Sequence, residues 1–434
     1  MTIVNNIRLG LLHIAVAISF VLINGVLNRV MIHDMGILAT VVALLVVLPY
    51  LLSPAQVWIG QYSDTHPIFG YRRTPYILVG VLLCVGGMLL TPHAALLMDR
   101  SFGLGLLLGV LAFGAWGVGF NTAVVGYLAL ASDLSSEEQR SRTVAVMWFM
   151  MITSVIITAI VSSRALDPYS HEKLLATFNT TGLVSLALTA VGLVGLEPRV
   201  RSGAHVAQSR QSQGAALRAV LGNPQARLFF IYLILLLAAI LGQDVLLEPF
   251  GAAAFGMSVR ETTQLTAIWG GATLLALLAY GLLLNRWITK CAGAMLGGSL
   301  AALGLLLIAA SGITGEQALF VPGIAALGFG TGIATSTNLA LMLDMTTPEQ
   351  VGLFIGAWGV ADALARGLGT MLGGITRDII TVATGSASGG YISVFLIEAL
   401  LLGVSLVLLQ RINVGAFRSR QPTLTELVAL SGDA

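Results

Sequence analysis

LALASDLSSEEQ, residues 128–139, closes one long apolar run, and LALMLDMTTPEQ, residues 339–350, closes another. The two share Leu-Ala-Leu, then Asp133 matches Asp344, and Glu138-Gln139 matches Glu349-Gln350. Counted from the amino terminus, these are the ends of the fourth and tenth apolar runs. Both runs are even-numbered, so both copies emerge on the same side of whatever the runs cross. The chain therefore reads as two parallel halves. Asp133, Glu138, Asp344 and Glu349 each stand just before the next run, where a carboxylate favours a helix N-terminus, and a structural role is the reading preferred for them.

The composition says what is crossed. Of 434 residues, 56% are hydrophobic and 10% charged, with a mean hydropathy of +0.91. A soluble domain carries about 25% charged residues. Apolar runs of about 20 residues match the hydrocarbon core of a bilayer, and backbone in lipid must be helical to satisfy its own polar groups. The fifty glycines suit close approach of such helices. Cys84 and Cys291 have the spacing of neither a disulfide framework nor a metal site. The first run contains His13, Asn24 and Asn28 and lacks a cleavage pattern, so it reads as a retained helix.

Twelve spans are predicted. They run at about 8–31, 36–59, 75–96, 102–131, 142–164 and 173–196, then 226–249, 264–285, 290–311, 317–343, 350–378 and 390–411. The domains are thus an N-terminal six-helix half at 1–196, a polar linker at 197–225, a C-terminal six-helix half at 226–411 and a tail at 412–434. Fifteen Lys and Arg fall on the side of the termini and even-numbered connections, and six on the other. The excess places both termini in the cytoplasm. An all-α integral membrane protein of twelve helices, with two parallel six-helix halves, has the layout of the major facilitator fold.

The second-to-third connection, IGQYSDTHPIFGYRRTPYI at 59–77, is the most polar stretch of the first hundred residues. Gly60, Asp64, Gly70, Arg72 and Arg73 resemble, in order, the loop motif of the major facilitator superfamily, which latches one conformation of a rocking transporter. A weaker counterpart is Gly281, Asn285 and Arg286. THPIF widens the motif, and SDTHPIFGYRRTPYI at 63–77 resembles the light-harvesting assembly family of PucC and LhaA, also called the bacteriochlorophyll delivery family. RLGLLHIAVAISFVLINGVLNRVMI at 8–32 and GQDVLLEPFG at 242–251 agree with it. The resemblance implies an assembly factor for light-harvesting antenna complexes. It further implies handling of bacteriochlorophyll, with antenna polypeptides, chlorophyll synthase and the membrane insertion machinery as expected partners. The implied location is a bacterial inner or intracytoplasmic photosynthetic membrane.

In the major facilitator fold the first, fourth, seventh and tenth helices line a central cavity. The seventh holds Gln243, Asp244 and Glu248, and intramembrane carboxylates are functional candidates because burying them is costly. Counted along the helix, Asp244 falls near the far edge of the membrane, where it reaches either water or the cavity. Asn24 and Asn28 share a helical face and read as interhelical hydrogen-bond donors or as cavity ligands. Asp362 and Arg366 are four apart and form a neutralising pair. Glu398 stands mid-span, either as a neutral carboxyl or paired across helices to Arg366. A chlorophyll magnesium needs an axial ligand, commonly an imidazole. His13 is the one His well inside an apolar run, and it reads either as that ligand or as a hydrogen-bonded core histidine. Trp116, Trp148, Trp269 and Trp358 flank a pigment or pack the core. Gly105 with Gly109, and Gly328 with Gly332, serve internal packing or docking of a partner helix.

The alternative function is a secondary transporter moving a small solute by alternating access. The fourth run lacks the Arg of many proton-coupled relatives, and the fifth has no Gly between Thr143 and Ser163, unlike antiporters. No nucleotide loop, metal-ligand cluster or nucleophile beside a base is present, so the chain does not read as an enzyme or a nucleic-acid binder.

Overall fold

The computed structural model describes residues 3–199, 222, 224–344 and 351–412. Most of the predicted linker at 197–225, nearly all of the tail at 412–434, and the end of the second repeat copy at 345–350 lie outside the described residues. Among the described residues there are fourteen α-helices: α1 (Ile3–Phe20), α2 (Ala39–Leu51), α3 (Ala55–Thr65), α4 (Thr74–Arg100), α5 (Phe102–Leu134), α6 (Glu137–Ala165), α7 (His171–Leu193), α8 (Pro224–Gly242), α9 (Leu247–Phe255), α10 (Val259–Leu282), α11 (Lys290–Thr314), α12 (Gln317–Asp344), α13 (Val351–Thr384) and α14 (Ala387–Leu409).

Among the described residues, ten helical stretches are long and apolar enough to cross a membrane, which makes this a multi-pass membrane protein. The other two predicted runs are helical as well. The second is split into α2 and α3 across Leu52–Pro54, with Pro49 already inside α2. The eleventh, α13, carries Asp362, Arg366, Arg377 and Asp378. The seventh run is also broken: a 3-10 turn at Gln243–Val245 separates α8 from α9. The first continues past α1 in π-helical geometry over Val21–Leu27 and Val30–Asp34.

Local sequence sets several helix starts. Ser258 accepts from the Glu261 amide (3.3 Å) while the Glu261 carboxylate accepts from the Ser258 amide (2.8 Å), a reciprocal cap on α10. Ser170, Thr289 and Ser386 cap α7, α11 and α14 with their hydroxyls. Asp133 ends α5 rather than opening α6, because the break falls at Ser135–Ser136.

The internal repeat extends into the packing. α4 meets α5, and α11 meets α12, along glycine seams of the same design. A Cβ on Gly80 would sit 2.6 Å from the Ala123 amide nitrogen, and one on Gly297 would sit 2.5 Å from that of Ala334. Gly87 likewise faces Trp116 as Gly304 faces Leu327. Gly80 to Gly87 and Gly297 to Gly304 have equal spacing, as do Trp116 to Ala123 and Leu327 to Ala334. Any side chain at these glycines would force the backbones apart, and in lipid that packing is what holds helices together. Gly328 and Gly332 abut Trp269 and Thr273 of α10, and Gly105 and Gly109 abut Met98. Both pairs are used for packing within the chain.

Residues 3–199 and 224–412 meet through α2 with α13 and α6 with α10. Asp378 of α13 accepts from the amides of Ala39 (3.2 Å) and Thr40 (2.8 Å) and from the Thr40 hydroxyl (2.7 Å), capping α2 from another helix. Arg260 pairs with Asp167 (2.7 Å), and Arg29 donates to the Met257 carbonyl (3.1 Å). These contacts gather at the end of the bundle opposite Arg8, Arg72 and Arg73.

Candidate functional site

The breaks in the first and seventh helical runs lie against each other. Asn28 donates to the Val245 carbonyl (2.5 Å), which the 3-10 turn has freed, and to the Asn24 carbonyl (3.0 Å). Gly25 sits against Glu248: a Cβ there would be 2.6 Å from the carboxylate Oε1. Thr266 of α10 donates to the same Oε1 at 2.6 Å. Glu248 is 2% exposed and sealed between three helical segments. The Gln243 amide donates to the Ile240 carbonyl (3.2 Å) and to Asp244 (2.9 Å). Asn24 Oδ1, Asn28 Oδ1, Gln243 Oε1 and Glu248 Oε2 are buried with no hydrogen-bond partner.

Asp244 turns the other way, toward α13. Arg366 bonds Asp362 (3.0 Å), lies 3.9 Å from Asp244 and covers the Tyr50 ring at 5.7 Å. Glu398 stands apart from this group. Its carboxylate abuts Gly242, and both its oxygens are buried without a hydrogen-bond partner. The cross-helix partner of Arg366 is thus Asp244 rather than Glu398. Glycine at 242 is what admits Glu398, since a Cβ there would lie 2.8 Å from Oε1.

At the other end of the bundle, the predicted latch loop is organised by Arg73, which is 5% exposed. Its guanidinium donates to Ser63 (2.7 Å) and Asp133 (3.2 Å), and pairs with Asp64. The Glu197 carboxylate receives the amides of Arg72 (2.8 Å), Arg73 (3.0 Å) and Thr74 (2.7 Å) at the start of α4. Gly70 turns the chain at a φ of +81°, and Gly60 rests on Val125. The three acidic partners, Asp64, Asp133 and Glu197, come from three different connections, so the loop is tied to its own half and to the first residue of the linker. Glu197 was not visible as a partner in the sequence, because nothing local distinguishes it from other linker charges.

His13 packs against Tyr127 (ring centroids 5.1 Å) and edge-on to Trp148 (5.6 Å). Its Nδ1 is buried without a hydrogen-bond partner, and Trp148 is 52% exposed at the outer side of the group. Trp116 is fully buried and donates to Ser19 (2.9 Å), a core role. A second aromatic group was missed. Trp58, Tyr62 and His66 stack along α3 at 5.4 and 4.1 Å, with Trp58 65% exposed. Their four-residue spacing in WIGQYSDTH was the available signal.

Solved structures with this architecture are transporters. A bacterial homolog of the human lysosomal transporter Spinster, in an inward-facing and occupied conformation, superposes with a TM-score of 0.70 at 11% identity, covering 95% of this chain and 97% of that one. The nucleoside transporter NupG superposes at 0.68 and 16% identity, covering 96% and 98%. Likeness in sequence is closer elsewhere. Protein PucC of Rhodobacter capsulatus is 32% identical over 424 residues, 92% of this chain and 90% of that protein. Protein PucC of Cereibacter sphaeroides is 30% identical over 427 residues, 96% and 93%. The bacteriochlorophyll synthase 44.5 kDa chain of Rhodobacter capsulatus is 30% identical over 430 residues, 96% and 97%. The family described as PUCC protein matches residues 26–417, and the chain belongs to that family.

Proposed function

We propose that the protein is an assembly factor for bacterial light-harvesting antenna complexes, and that it holds bacteriochlorophyll for transfer to antenna polypeptides. Family membership over residues 26–417 carries this reading. The chain works as twelve membrane spans in two six-helix halves, with both termini cytoplasmic, in an inner or intracytoplasmic photosynthetic membrane. The polypeptide clients are antenna subunits, with chlorophyll synthase and the insertion machinery as upstream partners. The role is not enzymatic.

His13 is the proposed pigment contact. An imidazole with a buried, unpartnered Nδ1, flanked by Tyr127 and by the half-exposed Trp148, supports it. Asn24, Asn28, Gln243, Asp244 and Glu248 are the proposed cavity residues, and Asp362 with Arg366 fixes the helices beside them. Gly60, Asp64, Gly70, Arg72 and Arg73 serve as the conformational latch, supported by the Arg73 bonds to Ser63, Asp64 and Asp133.

The test is an absorption spectrum, with pigment extraction, of tagged protein gently solubilised from its host. Bacteriochlorophyll in a fixed ratio to protein, lowered by His13→Ala, and co-purifying antenna polypeptides are expected. A colourless protein without antenna partners overturns the reading. The second reading is secondary transport of a small solute, favoured by the transporter architecture. It predicts uptake or efflux in reconstituted vesicles that is lost in Asp244→Asn.

A further inference from the structure

We infer that the seam between the first and seventh helical runs is a binding site for a monovalent cation of the sodium type, held by Glu248 Oε2, Asn28 Oδ1 and Asn24 Oδ1. The inference stands apart from pigment handling and uses none of its residues outside this seam.

The seam is defined by contacts already on both sides of it. Asn28 reaches the Val245 carbonyl, and one turn further along each segment Gly25 receives the Glu248 carboxylate. The free atoms of Asn24, Asn28, Gln243 and Glu248 are acceptors, while the adjacent Arg29 keeps one buried donor, Nε, without a partner. The Asn28 amide group is held by two carbonyls, so its Nδ2 and Oδ1 cannot be exchanged without losing both bonds. Glu248 Oε1 is taken by Thr266, which leaves Oε2. Asn28 is 1% exposed and Glu248 2%, so water does not supply the missing donors from bulk. A buried acceptor without a donor is costly, and more so when it is charged.

The carboxylate also makes no direct ion pair, although the Arg29 charge acts on it from a distance. Arg29, on the adjacent turn, is committed to Asp34 (2.5 Å) and to the Met257 carbonyl. Arg366 is committed to Asp362 and Asp244. Among the described residues no ion pair includes Glu248. One carboxylate with two amide oxygens supplies a single negative charge and hard oxygen donors. That set suits a monovalent ion, whereas calcium takes six to eight oxygens and usually several carboxylates. Broken helices that present backbone carbonyls and side-chain oxygens at membrane depth are the general means by which membrane proteins hold such ions.

The experiment is thermal unfolding of the full chain in detergent, in sodium, potassium or choline chloride at constant ionic strength, without pigment or antenna polypeptides. Sodium is expected to raise the Tm in proportion to ln(1 + [Na+]/Kd), flat below Kd and logarithmic above it, while choline leaves it flat throughout. Glu248→Gln, which keeps the Thr266 contact, is expected to abolish the sodium dependence, and Asn28→Ala to weaken the apparent affinity at least tenfold. Monodispersity on gel filtration identifies any variant that has misfolded. For such a variant, radioactive sodium binding to wild-type protein, with choline as control, decides instead. A sodium response equal to that of choline, or one undiminished in folded Glu248→Gln, overturns the inference. The presence or absence of bacteriochlorophyll in the preparation has no bearing on either result.

Discussion

Asp378 is the contact through which one half of the chain most directly holds the other. Its carboxylate takes the first two amides of α2 and the Thr40 hydroxyl, and Arg377 donates to it at 2.8 Å from the side. In Asp378→Asn one carboxylate oxygen becomes an NH2 group facing amide donors, so at least one charge-assisted bond is lost and the helix N-terminus loses its anion. A hydrogen bond to a charged group contributes about 1.5–3 kcal/mol, and the charge at a helix end about 0.3–1 kcal/mol beyond it. With Asp378 8% exposed, solvent compensates little. The closed arrangement at this end should lose about 2–3 kcal/mol relative to an open one, a factor of roughly 30–150 in their ratio. The assay is double electron–electron resonance between spin labels at Glu172→Cys and Val382→Cys, in a background with Cys84 and Cys291 replaced by Ser. The expected result is a second, longer distance population in Asp378→Asn and a lower Tm. An unchanged distance distribution together with an unchanged Tm would refute the assignment of Asp378 as the clamp.

Two further substitutions probe the opposite end. Arg73→Ala strands Ser63, Asp64 and Asp133, and because the two carboxylates are partly solvated the loss should be about 1–3 kcal/mol rather than that of a fully buried pair, read as a fall in Tm. Arg73→Lys should recover only part of it, since an ammonium cannot serve three directions with a planar fork. Glu197→Gln removes the charge that caps α4 and should cost about 1–2 kcal/mol; the checking measurement is faster hydrogen exchange at the amides of Arg72, Arg73 and Thr74.

The long elements were legible because a helix in lipid leaves no choice of period or length: every apolar run of sufficient length had to be one. The breaks were not. Val21–Asp34 is as apolar as the α-helix before it, so hydropathy does not register the change to π geometry. The turn at Gln243–Val245 is announced only by Gly242, Gln243 and Asp244 in a run that otherwise reads as continuous. Asp362 with Arg366 was legible since a helix fixes four-residue neighbours. Arg366 with Asp244, and Asp378 with Thr40, are not local at all and come from packing between halves. Asp133 was read against its chain neighbour and belongs instead to Arg73, a partner from another connection.

The distribution of polar groups argues for a machine with one committed end. Where α2 meets α13, the halves are tied by charges placed on helix ends, which release only at a cost of kilocalories. At the other end, Arg73, Asp64, Asp133 and Glu197 tie connections to one another within one half. The halves also meet at the Asn28–Val245 contact, and there the chain has placed glycine, unpaired amide oxygens and a buried carboxylate. Asn28 and Glu248 pair within the chain through one side of each group, and the acceptor left over on the other side is retained at a cost. The unpaired oxygens of Asn24, Asn28, Gln243 and Glu248 belong to the two broken helical runs, where the backbone has already departed from regular α-helix.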